Sequence, residues 1–306
     1  MNKRARHLIL LLGLLPGLTG PLPASAQPIQ PYVLAQTTTG ELQAAVQSIK
    51  DKLSGAGFQI VGEYAPYAGA HVVAVTEPAL LQAAAATPYG GFGAVEHVAA
   101  TQVDGVIQVS YLNLDYLAAA YRMDADLSAS KQRLAEALGA EKTFGAEQGR
   151  SPEQLRNYRY MVGMERFDDF YRLGTHPSYE AAVDTVTRNL EKQVGGAALV
   201  YRVQIPGKQQ TVFGVSRARV SDTRANDKTI MADTVDQKFD IKTTAYLPYQ
   251  MMVAEREVIA MHMRFRMAVW HPDLTMATFG KLITSPGAIE ELLRKIAGGK
   301  RDAFEF

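Results

Sequence analysis

The chain reads as an α+β protein of two duplicated two-layer units. Each is an antiparallel sheet in β-α-β-β-β-β-α order packed on two helices. Three observations predict this. One-faced amphipathic helices recur, with Leu42, Val46, Ile49 and Leu53 in 41–54, and Val183, Val186, Leu190 and Val194 in 180–194. Glycine follows each helix, then two short strand-like segments: "GFQIVGEY" and "AHVVAVTE" in the first half, "GGAALVYRV" and "QQTVFGVSR" in the second. Finally, "TPYGGFGAVEHV" is echoed by "LPYQMMVAEREV", which sets Pro88-Tyr89 opposite Pro248-Tyr249.

From the N-terminus, Lys3, Arg4 and Arg6 precede an apolar run, 8–15, broken by Pro16 and Gly17 and followed by Ala24-Ser25-Ala26. This order is that of a secretory signal peptide, 1–26, cleaved after Ala26 for export to the periplasm. The apolar run is short for a membrane span, so no transmembrane anchor is expected after cleavage.

The first repeat then occupies 27–140 and closes on a helix over 128–138. A linker follows over 141–166, glycine-containing at first and aromatic later. The second repeat fills 167–300. Ser285-Pro286 announces its closing helix over 287–296. "YLNLDYLAAAY" pairs with "WHPDLTMATF", Tyr121 opposite Phe279. This alignment leaves a polar insertion near 219–244, expected to be a surface loop or small excursion.

The order of elements, the helix ending in "GAGFQIVGEY" and the hairpin "AVEHVAATQVDGVIQVS" resemble the domain-of-unknown-function family 302. The resemblance covers most of both halves, the second being a diverged copy. It implies a TATA-binding-protein-like α+β fold, a curved antiparallel sheet against two helices, and no established activity. Many relatives carry a cysteine after the proline of the fourth strand. Tyr89 and Tyr249 stand there in this chain, so a thiol role is not carried over.

Composition narrows the function. The chain has no cysteine, which excludes disulfides, thiolate catalysis and thiolate metal sites. Losing Lys3, Arg4 and Arg6 turns the formal net charge from +1 to −2, which argues against nucleic acid as a partner. No nucleophile elbow, zinc-protease motif, P-loop or dinucleotide fingerprint is present, and no catalytic residue is assigned. Glu96-His97, Asp124/Asp126, Asp168-Asp169, His176 and His271-Pro272-Asp273 read as strand, loop, cap and turn residues.

Two groups remain as candidates. Tyr158, Tyr160 and Phe167 form an aromatic approach between the halves, suited to packing or to a small apolar ligand. The stretch "AMHMRFRMAVWH" reads as a strand. Alternation over 259–270 puts Ile259, Met261, Met263, Phe265, Met267 and Val269 on a dry face, and His262, Arg264 and Arg266 on a polar face able to bind an anion. Met261 and Met263, with Met251 or Met252, are the candidate thioether ligands should the protein handle copper. The leading expectation is a non-enzymatic module binding a small ligand or a periplasmic protein. A soft-metal or cofactor handler, or an enzyme with an unrecognised site, are the alternatives.

Overall fold

The structure is a computed structural model and describes residues 27–299. The expected signal peptide lies outside them. The first half runs β1 (Tyr32–Thr39), α1 (Leu42–Gly55), β2 (Gln59–Tyr64), β3 (Ala70–Thr76), α2 (Pro78–Ala86), β4 (Glu96–Val103), β5 (Val106–Leu112), α3 (Leu114–Ala120), α4 (Ser128–Leu138) and β6 (Lys142–Phe144). After α5 (Pro152–Arg156) the second half runs β7 (Phe170–Thr175), α6 (Tyr179–Glu191), β8 (Ala198–Gln204), β9 (Gln210–Ser216), α7 (Asp227–Ile230), β10 (Tyr249–Ala254), β11 (Glu257–Met261), α8 (Met263–Trp270), α9 (Met276–Lys281) and α10 (Ser285–Ile296).

Both sheets are antiparallel, in the orders β2-β3-β4-β5-β1-β6 and β8-β9-β10-β11-β7. The apolar stripes found in the sequence are buried: Val46, Ile49 and Leu53 on α1, and Val183, Val186 and Leu190 on α6. In each half the first and last of the expected helices touch one another over the sheet, α1 with α4 and α6 with α10. Ser178 caps α6 by accepting from the Ala181 amide, and Pro286 fits the first turn of α10.

The two halves match in detail. β1 bulges at Ala35 and β7 at Leu173. β2 bulges at Val61 and β8 at Val200. The same glycine closes each unit. Gly139, after α4, and Gly299, after α10, lie so near the bulge carbonyls of Ala35 and Leu173 that a Cβ at either would collide with them. The edge strands β2 and β8 also lie against each other. Gly62 permits this, since a side chain there would run into the Val200 carbonyl.

Four expectations are corrected. The strand over 259–270 ends at Met261, and helix α8 begins at Met263. Every residue of α8 but Arg264 is buried, so the helix carries no one-sided stripe and its alternation is coincidental. The Pro-Tyr pairs are not equivalent. Strand register matches Tyr249 to Glu96, whereas Tyr89 precedes a short helical turn. By the same register α3 answers to α8, and Tyr121 to Trp270 rather than to Phe279. The start of the linker is strand β6, paired with β1.

Of the two readings of the insertion, a surface loop or a small excursion, the structure has the second, with short helical turns over 227–238. Val220, Ile230, Met231 and Val235 are buried. The segment grips the first sheet. Gln108 donates to the Asp240 carbonyl at 2.9 Å, and Thr101 donates to Thr244 Oγ1 at 2.8 Å.

Candidate functional site

Among the places in the described residues where chemistry-bearing side chains gather, three bear on a site. The first is the seam around Arg266. This guanidinium is buried, donates to the carbonyls of Tyr246 and Pro248, and lies 3.9 Å from the Tyr246 ring centroid and 4.9 Å from that of Tyr249. It keeps its charge, held by carbonyl dipoles and aromatic faces. Beside it, Gln250 donates to Tyr201 Oη at 2.9 Å, leaving the tyrosine proton for His97 Nε2 at 3.1 Å. Burial, with Arg266 nearby, pushes the His97 imidazole down to about 3, so it is neutral. The gap enclosed by these groups is too narrow for a water molecule. The seam holds the halves together and admits no substrate.

The second place joins Asp236, Thr243 and His271, all buried. Thr243 donates through its amide at 2.8 Å and its hydroxyl at 2.6 Å to Asp236 Oδ1. Its hydroxyl proton is thereby used, so the 2.9 Å contact with His271 Nε2 has the imidazole as donor. That direction is the reverse of what an activated nucleophile needs, where the imidazole accepts the hydroxyl proton. Burial pushes His271 down to about 3 and Asp236 up to about 6.

The third place is open. A groove of about 260 Å³ is lined by Tyr160, Met161, Met164, Met263, Met267, Met276, Phe279, Leu282 and Ile283. It draws on the 160–164 segment, on α8, on α9 and on the turn into α10. Met263 and Met267 are one turn apart on α8 and form its buried floor. Its walls are exposed and apolar: Met161 is 53% accessible, Met276 64% and Ile283 79%, with Val162 beside them at 95%. Tyr160 packs on Phe279 at 5.2 Å between centroids, and its hydroxyl donates to Met276 Sδ at 2.9 Å. Arg264 also lines the groove and pairs with Glu165. Partial burial pushes the Glu165 carboxyl up, but the Arg264 guanidinium outweighs it and holds it below the usual range.

The sequence candidates are thus divided. Tyr160, Met263 and Arg264 reach the groove. Tyr158 and Phe167 are packing residues: Tyr158 donates to the Ala268 carbonyl at 2.9 Å, and Phe167 stacks on Tyr121 at 5.4 Å. Met261 is buried in β11, and Met251 and Met252 in β10, so none of the three joins Met263 in the groove. His262, Arg264 and Arg266 share no polar face, because the helix turns them apart. Arg264 is exposed, Arg266 faces the seam, and His262 stacks on Tyr171 at 3.8 Å. Burial keeps His262 below its ordinary range, so its 3.4 Å approach to Glu165 is not an ion pair at neutral pH.

Sequence reasoning missed Met161, Met164, Met267 and Met276 as a group. The available signal was their number: five of the eleven methionines in the chain meet at this groove. Among the described residues no cluster of three or more His, Cys, Asp or Glu could hold a metal ion, and no helix is long and apolar enough to cross a membrane. No protein-family model, curated protein or solved structure matches the chain.

Proposed function

We propose that this is an exported, non-enzymatic binding protein made by duplication of one α+β unit, and that it works through the methionine-lined groove. The groove carries the reading. It is the one place described above where apolar side chains from separate segments face solvent around a hollow large enough for a small molecule, and such hollows are the usual ligand sites. Methionine adapts its shape to the guest, and Tyr160 and Phe279 offer flat faces to an aromatic one. The matched bulges and closing glycines support duplication, because bulges persist within families. The shared β-α-β-β-β-β-α order supports the resemblance to family 302. Export rests on the N-terminal sequence, and mass spectrometry of the secreted protein should find its N-terminus at Gln27, as glutamine or its cyclised pyroglutamate form.

Titration with Nile red, an uncharged aromatic dye, tests the groove. One equivalent should bind with a blue-shifted emission. Met276→Glu and Ile283→Glu should each weaken binding at least tenfold, since both place a charge on the wall. A dye that binds both variants as well as the parent contradicts the assignment.

A further inference from the structure

We propose that the five thioethers of the groove form a copper(I) site. The inference rests on the groove being the working site and adds a second class of ligand to the apolar guest. An apolar hollow needs only hydrocarbon. Leu, Ile, Val or Phe supply it with better-defined shapes than methionine does. Here five of the long aliphatic side chains lining the groove are Met, and only Leu282 and Ile283 are branched hydrocarbon. What methionine adds is sulfur: a soft, uncharged donor that selects Cu(I) over harder ions.

The sulfurs come from three segments. Met161 and Met164 sit three apart, Met263 and Met267 four apart on α8, and Met276 opens α9. A soft ion entering from solvent would meet the exposed thioethers of Met161 and Met276 before the buried pair on the floor. The Tyr160 hydroxyl donates to Met276 Sδ, a contact that an ion bound to this sulfur would displace. With no His, Asp or Glu cluster in the described residues, zinc has no comparable site.

A thioether carries no proton, so the site has a signature that thiolate and imidazole sites lack: its affinity does not follow pH. The test is an anaerobic titration of the untagged protein with Cu(I) buffered by bicinchoninate. One equivalent should be withdrawn, with the same affinity at pH 6 and pH 8. The combined variant Met161→Leu, Met164→Leu and Met276→Leu should lose at least 100-fold in copper affinity. Its far-ultraviolet circular dichroism and melting temperature should match the parent's, because leucine nearly preserves the side-chain volume, so the loss of copper reads the loss of sulfur.

A second measurement on the unaltered chain needs no variant. Silver(I), a redox-inert stand-in, should shift the ε-methyl resonances of Met161, Met164, Met263, Met267 and Met276 and leave those of Met251, Met252 and Met261 in place. Absence of copper uptake, uptake that survives the leucine substitutions, or affinity that falls between pH 8 and pH 6 overturns the copper site. The parent's dye titration judges the groove separately. Dye bound without copper removes only the metal, whereas a parent that binds no dye removes the reading of the groove as an apolar pocket.

Discussion

Single buried groups set how this protein answers pH. His97 is neutral because burial excludes its charge, and its partner Tyr201 serves Gln250 as well. Strand register makes Gln250 the counterpart of His97, so one tyrosine hydroxyl is shared by the matched residue of each half. The unfolded chain protonates His97 near 6.5 and the folded chain only near 3, so the contribution of His97 to stability falls as pH drops through that interval. We expect His97→Gln to flatten the acid side of the stability curve. Urea unfolding from pH 6.5 to pH 4 should show the variant gaining on the parent by about 1.4 kcal/mol per pH unit. Asp236 acts in the opposite sense. Its folded pKa, about 6, lies above its ordinary 3.8, so its ionisation lowers stability above that window and the cost is relieved as pH falls through it. Asp236→Asn, compared with the parent in the same titration, should remove that gain on acidification. A parallel shift of the whole curve would show that Asp236 titrates alike in both states.

Elements differ in how plainly the sequence announces them. The helices α1, α6 and α10 bury one stripe over a sheet, and the stripe shows in the spacing of their apolar residues. Helix α8 is packed nearly all round, so its residues are apolar in almost every direction and mimic a strand of alternating character. The first half held a clue. Asn113 accepts from the Asp115 amide and caps α3, and its counterpart by register is His262, the residue before α8. The seam of β2 and β8 depends on a missing side chain. Gly62→Ala should push the Val200 carbonyl aside and lower stability by about 1–3 kcal/mol, as overpacking does; thermal unfolding of the variant checks this. An unchanged melting temperature would mean that the strands do not approach so closely.

At the scale of the whole molecule, buried hydrogen bonds join the two halves. Tyr116 donates to the Val269 carbonyl, Trp270 to Tyr121 at 2.9 Å, and Tyr32 shares a 3.3 Å hydrogen bond with His271. Each bond joins first-half residues to the end of α8. Intrinsic fluorescence of Trp270, the only tryptophan, and far-ultraviolet circular dichroism should therefore report one coincident urea transition. Two separated transitions would show halves that fold independently. The layered α+β architecture was legible because amphipathic helices and paired strands are local patterns. The groove was not, because its lining comes from 160–164, 263–267 and 276–286 and assembles only when α8 and α9 fold beside the interdomain segment. The most direct test of that groove is a methyl NMR titration with Nile red, on protein carrying ¹³C at the methionine methyls. The account predicts that Met161, Met164, Met263, Met267 and Met276 shift together at one equivalent while Met251, Met252 and Met261 stay in place. Shifts confined to the latter three, or none at saturating dye, would contradict it.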